Sequence, residues 1–344
     1  MNLHPRMKSL SHDFLLGLCC LPALIVIGSA AVLTGHYHEG GIAASGALPL
    51  AFGANKRFEG SSLRLLTLTA AGLTLSAWLG SLAGGSFSAY VCMAIVYAGF
   101  YSLFTGNDNG LAWCVLQSAI VFMMAGHFPG DLKDALIRGG GTGAGALLQL
   151  FFLVLLNWKN VLRRRDACSP GEINALSDLH KLNLRWTVVF TTPAIAVALV
   201  VAESAELFSG YWAGMTLLLC MRSHYRESFH RVHARIIGTA AGVCVATYLT
   251  GQHDSPGFTF AAFIITGYLA LSYSFSLSSR SYLVFTFFVS LMVIFLMESQ
   301  QQNMAASRIF ATLTGGVCAY LALVCSYLTS TFYLYRRQKA SDQG

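Results

Sequence analysis

Thr239-Ala240-Ala241-Gly242 repeats Thr69-Ala70-Ala71-Gly72 at an offset of 170 residues. At the same offset, without a gap, Gly40-Gly41-Ile42-Ala43 falls on Gly210-Tyr211-Trp212-Ala213, Arg138 on Arg308, and Gly145 on Gly315. The matched blocks lie in or beside apolar runs such as Phe14–Leu33, Leu63–Leu82, Leu184–Ala202 and Ile309–Leu328. At 1.5 Å per helical residue, such runs are long enough to cross a hydrocarbon layer of roughly 30 Å. One helical membrane bundle written twice accounts for both observations. Tandem units of this kind build transport pathways at the seam between two halves.

Composition agrees with that reading. Hydrophobic residues make up 55% of the chain, charged residues 11%, and mean hydropathy is +0.58. A soluble domain carries about a quarter charged residues. The expected fold is all-α and integral to the membrane, with about twelve transmembrane helices in two parallel six-helix repeats. The first half reads as spans at 14–34, 41–54, 63–82, 87–104, 110–127 and 138–157. The second reads as 184–202, 210–221, 235–250, 257–276, 281–297 and 306–330. The second span of each half is short for a full crossing and is therefore expected to be tilted, broken or interfacial. The division is a first repeat at 1–157, a basic linker at 158–183, a second repeat at 184–335 and a tail at 336–344. The first apolar run is long for a cleaved signal core and reads as a span. The nine cysteines lie almost entirely in apolar segments without paired spacing and read as small core residues.

The formal charge of +7 follows the same topology. With the amino terminus inside, the inner loops hold Arg6 and Lys8; Lys56, Arg57 and Arg64; and Lys159, Arg163, Arg164, Arg165, Lys181 and Arg185. They also hold Arg222, Arg226, Arg231 and Arg235; Arg280; and Arg336, Arg337 and Lys339. Those are 19 of the 22 basic residues, as expected for cytoplasmic loops. Lys133, Arg138 and Arg308 fall on the other side. The positive charge is thus topological, and a nucleic-acid partner is not expected.

The densest informative segment is Ser209-Gly210-Tyr211-Trp212-Ala213-Gly214-Met215-Thr216, a basic loop, and then Arg235-Ile236-Ile237-Gly238-Thr239-Ala240-Ala241-Gly242. This pattern resembles the fusaric-acid-resistance-like (FUSC) family, which includes bacterial aromatic acid exporters. In that family a Tyr-Trp-Ala element opens the second span of a six-helix unit, and a basic connection leads to an Arg-x-x-Gly-Thr-x-x-Gly helix. The resemblance is clearest over 177–335. In the first half Ile42 replaces the Trp and Leu65 stands where Arg235 would pair. Larger members carry a sizeable cytoplasmic domain between or after the halves, where this chain has the linker at 158–183. The resemblance implies a multi-pass protein of the bacterial inner membrane, and the charge partition with an even number of spans puts both termini on the cytoplasmic side. It implies export of small aromatic or other weakly acidic organic compounds, driven by proton-motive force. A passive organic-anion channel and a non-transporting assembly or scaffold component stand as alternatives. The implied partners are a small organic anion and the lipid bilayer, with a periplasmic adaptor and a homo-oligomer as further expectations.

Candidate pathway residues are Tyr211, Trp212, Arg235, Arg138 and Arg308. Tyr211 and Trp212 read either as interfacial anchors or as rings that stack on an aromatic substrate. Arg222, Arg226 and Arg231, in a loop with His224, His230 and His233, serve either positive-inside sorting or an electrostatic funnel for anions. Arg138 and Arg308 open the last span of each half. They either pair with Asp131, Asp134 and Glu298, or face the seam, where a guanidinium fork can hold a carboxylate. Gly139 to Gly145 lacks the Lys-Ser/Thr ending of a phosphate loop and reads as helix packing. No catalytic constellation, metal site or cofactor motif is recognised, and no residue marks proton coupling. Epitope tags at both ends and within 158–183 are expected to be accessible from the cytosol alone; a tag exposed on the opposite side would break the parallel arrangement.

Overall fold

The computed structural model describes residues 5–105, 108–163, 178–222, 224–252, 255–276, 279–297 and 304–341. These form twelve helices and no strand among the described residues. The first six are α1 (Pro5–Thr34), α2 (Tyr37–Phe52), α3 (Ser62–Ala83), α4 (Phe87–Thr105), α5 (Asn109–Gly126) and α6 (Leu132–Leu162). The remainder are α7 (Asp178–Ser204), α8 (Tyr211–Cys220), α9 (Tyr225–Gln252), α10 (Pro256–Ser274), α11 (Ser279–Met297) and α12 (Met304–Ser341).

Several helix starts are set by side chains that satisfy otherwise unpaired amide groups. Ser61 accepts from the Arg64 amide, Asp108 from Leu111, Asp131 from Asp134, and Ser255 from Phe258, the last with Pro256 in the first turn. Asp108, a polar residue at a span end, is thereby a helix cap.

Among the described residues nine helices are long and apolar enough to cross a membrane. The remaining helices of the twelve are α2, α8 and α11. Of these, α2 has 16 residues and α8 has 10, or about 24 and 15 Å of helix. Helix α11 has 19 residues, Ser279–Met297. Helix α8 is buried along most of its length, as befits a helix that is apolar on every side, and α2 is buried over its second half.

Within the first half α2 packs on α6, α3 on α5 and α6, α4 on α5, and α1 on α2 and α6. Within the second, α8 packs on α12, α9 on α11 and α12, α10 on α11, and α7 on α8 and α12. The halves meet where α4 packs on α7, α1 on α10 and α5 on α8. Phe52 on α2 meets Phe285 on α11 edge to face, with centroids 5.5 Å apart.

Glycine sets the closest of these approaches. A Cβ at Gly145 on α6 would collide with the Ala43 carbonyl of α2, and one at Gly315 on α12 with the Ala213 carbonyl of α8. Small residues let helix backbones come together where packing, not hydrophobicity, drives association.

Several boundaries differ from the sequence expectation. The segment Arg222 to Arg235 is largely helix, not loop, because α9 begins at Tyr225. Its charged face conceals the helix from a hydropathy reading. Glu227 and Arg231 pair one turn apart at 2.9 Å, and Ser228 Oγ accepts the Arg222 amide at 2.9 Å. Likewise α6 and α7 extend to Leu162 and back to Asp178, into the stretch expected to be linker.

Two substitutions on α6 separate packing from propensity. Gly145→Ala is expected to lower the thermal midpoint of the protein in detergent, by the ~1–3 kcal/mol typical of overpacking. Gly140, with nothing within 4 Å of an added Cβ, is expected to accept alanine with a gain of about 0.5–1 kcal/mol. Equal midpoints for the two variants would show that the α2–α6 contact is not tight.

Candidate functional site

Between the halves lies a cavity of about 660 Å³, walled by α1, α2, α5 and α6 on one side and by α8, α9, α10 and α11 on the other. On α9 it touches both Arg235 and Thr250, which the helical rise sets about 22 Å apart. On α8 its wall is Trp212, Met215 and Leu219, spaced three and four residues apart and so on one helix face. Phe52, Phe128, Phe263 and Phe285 add aromatic surface, and Gln117, Ser45 and Thr142 add polar groups. Arg138 and Arg235 bring charge to the wall, and no Asp or Glu occurs among the described residues lining it.

Arg235 is 2% exposed and its Nε has no hydrogen-bond partner. It comes from the buried face of α9, which continues through Gly238, Thr239 and Gly242 against α11. Arg308 is 1% exposed, and Nε and both terminal nitrogens lack hydrogen-bond partners. Its guanidinium lies 3.7 Å from the centroid of the Trp212 ring. A desolvated cation–π contact of this kind contributes about 2 kcal/mol, far less than the cost of an isolated buried charge. The charges of Arg308 and Arg235 also repel one another. Arg308 is absent from the cavity wall; Trp212 stands between it and the space. Glu298, expected as its partner, lies outside the described residues.

Arg138 does face the cavity, half-buried, with its guanidinium 5.1 Å from the Phe128 centroid. No ion pair joins it to Asp131 or Asp134 among the described residues; Asp131 instead caps α6 by accepting the Asp134 amide at 2.8 Å. Tyr211 and Trp212 are both buried within the bundle, at 4% and 7% exposure, so neither ring is an outward-facing anchor. The Gly315–Ala213 contact draws α8 into the bundle and takes both rings with it. Trp212 lines the cavity, whereas Tyr211 packs against His127, with ring centroids 5.0 Å apart. His127, beside the end of α5, also meets Phe208 at 5.4 Å.

Beyond the Arg235 end lies the basic group expected as an entrance. Arg222 donates to the Tyr101 hydroxyl, and its Nε lies 3.8 Å from Glu227. Arg231 bonds the same carboxylate at 2.9 Å and covers the Tyr282 ring at 4.3 Å. Arg226 is exposed. Two residues of this group were not recognised as site residues in the sequence, and both come from the first half. Tyr101 reads there as one more aromatic in an apolar run, and Lys56 as one more cytoplasmic cation. Half-buried Lys56 has its pKa pushed down to about 8 by burial and by the charges of Arg222 and Arg231.

This geometry concentrates the unusual residues in one part of the chain. Residues 182–322 match the family described as fusaric acid resistance protein-like. The match and the nine apolar helices make this a multi-pass membrane protein. No curated protein and no solved structure matched the chain. The fusaric acid resistance protein-like stretch contains Tyr211, Trp212, Arg222, Arg226, Arg231, Arg235 and Arg308; Arg138, Lys56 and Tyr101 lie outside it.

The Lys56 environment gives a pH signature. The folded chain releases this proton near pH 8, whereas the unfolded chain holds it until about 10.5. Where the unfolded state binds more protons, stability rises with pH. The thermal midpoint is therefore expected to gain a rising component between pH 8 and 10.5 that Lys56→Gln lacks. Superimposable midpoint–pH curves for the two proteins would remove Lys56 from the basic cluster.

Proposed function

We infer that the protein carries small, weakly acidic organic anions, aromatic carboxylates among them, across the membrane through the cavity between its halves. The observation that carries this reading is the cavity wall: largely apolar and aromatic, with arginines and no carboxylate among its described residues. A wall of that composition favours an anion with an apolar body over a cation or a sugar. Ligand sites commonly combine such surface with a few fixed polar groups. Arg235, buried with an unsatisfied Nε, is the group assigned to the carboxylate, which a guanidinium can engage through two parallel hydrogen bonds. Trp212 offers the ring against which an aromatic body lies, its other face held by Arg308. Arg138 provides a second cationic position on the wall.

In this reading the two halves are parallel repeats that rock about the cavity. The matching order of helix packing and the equivalent Gly145–Ala43 and Gly315–Ala213 contacts support it. With both termini cytoplasmic, Arg222, Arg226 and Arg231 gather anions at the inner mouth. Transport is outward across a bacterial inner membrane and is driven by the proton gradient.

The test is benzoate and hydroxybenzoate flux in proteoliposomes with and without a proton gradient. Arg235→Gln is expected to lower flux about tenfold or more, the weight of one hydrogen bond to a charged group. Trp212→Ala is expected to reduce aromatic substrates more than aliphatic ones at equal folded protein. Flux that is unaffected by collapsing the gradient would identify a passive channel instead, and no flux of any carboxylate would end the transport reading.

A further inference from the structure

Near the Arg235 end of the cavity a hydrogen-bonded link joins the halves. Helix α8 stops at Cys220, and Met221 is extended, with φ −71° and ψ 130°. The break leaves the Met221 carbonyl outside the helical ladder. Tyr101 on α4, 1% exposed, donates its hydroxyl proton to that carbonyl at 2.7 Å. Its phenol oxygen then accepts from the Arg222 guanidinium. One side chain of the first half therefore holds the break between α8 and α9 by two bonds.

The partners of Arg222 are poorly matched to its charge. A neutral phenol is a weaker acceptor for a guanidinium than a carboxylate is, because ionic hydrogen bonds are about twice as strong. Glu227 sits 3.8 Å from Arg222 Nε but only 2.9 Å from Arg231 Nε, so its charge is shared. The charges of Arg222 and Arg231 bear on Lys56, and those of Arg222, Arg231 and Arg235 bear on Cys220. Among the described residues the region thus brings together Lys56, Arg222, Arg231 and Arg235, with Glu227 shared between two of them, and Arg222 is bonded to a group that an anion can displace.

We propose that Tyr101 is an anion-released latch: an arriving carboxylate replaces its phenol oxygen on Arg222, and the Tyr101–Met221 bond between the halves then opens the Arg235 end of the cavity. The proposal rests on the anion-carrier reading and assigns the first half a specific part in it. Arg222 acts as the sensor because it can exchange a neutral acceptor for a charged one. Tyr101 acts as a positioning residue, without contacting substrate once the latch has opened.

Cys220, fully buried beside this group, reports the state of the latch. The experiment uses the full chain in proteoliposomes and a membrane-impermeant maleimide, with modification read on the peptide that contains Cys220. Sodium benzoate is expected to speed labelling of the unaltered protein about tenfold, the equivalent of one charge-assisted hydrogen bond; neutral benzamide is expected to leave it unchanged. Tyr101→Phe is expected to label at the fast rate without benzoate. Arg222→Gln, which keeps a neutral donor for Tyr101 but loses the charge, is expected to stay slow with or without benzoate. Slow labelling of a Tyr101→Phe protein with an unchanged thermal midpoint would overturn the proposal. So would equal acceleration by benzoate in Arg222→Gln and the unaltered protein, and that arm decides the matter if Tyr101→Phe does not fold. Benzoate flux in the same vesicles separates the two readings. Flux with no response at Cys220 overturns the latch and leaves transport intact, whereas a Cys220 response without flux supports the latch and overturns carriage.

Discussion

Backbone contact between a short helix and a long one is the constraint on which this architecture depends. Gly315 admits the Ala213 carbonyl, as Gly145 admits that of Ala43. With a side chain at either glycine, the short helix would be pushed away from its neighbour. The α8 contact has a chemical consequence. Ala213 follows Trp212, and Gly315 lies two turns beyond Arg308, so the packing that seats α8 also lays indole over guanidinium at 3.7 Å. A small-residue contact and a buried cation thereby become parts of one arrangement.

That arrangement concentrates positive charge where little compensates it. Arg308 is covered by Trp212, Arg235 faces the cavity with an unsatisfied Nε, and Arg222 leans on a phenol. Buried cations in an apolar region are costly and mark function more often than stability. An organic anion would relieve the cost at the point where it binds. The basic group beyond Arg235 extends the same field away from the cavity, and it adds to burial in depressing the proton affinity of Lys56.

The halves are alike in packing order and unlike in chemistry. Trp212 corresponds to Ile42 and Arg235 to Leu65, so the cationic and aromatic equipment of the cavity is concentrated in the second half. The first half contributes Arg138 and the aromatic wall of Phe52 and Phe128. It also contributes Tyr101, which ties its α4 to the break in the second half.

The sequence by itself determined the all-α membrane class, the 170-residue correspondence and the residues worth watching, because apolar length, charge placement and repeated small residues are local signals. It also singled out Trp212, Arg235 and Arg138, which the folded chain brings to one cavity. Other features needed the tertiary structure. The helix from Tyr225 was concealed by its own arginines and histidines, whose periodicity becomes visible once one face packs on α11 and α12. Burial of Tyr211 and Trp212 depended on how deeply α8 enters the bundle, a distance that hydropathy does not encode. Which arginine meets the cavity and which hides behind an indole was likewise decided by packing. The part played by Tyr101 rests on a hydrogen bond to a backbone carbonyl 120 residues away in sequence. Contacts of that range arise from the way helices cross, and no local pattern of residues records them.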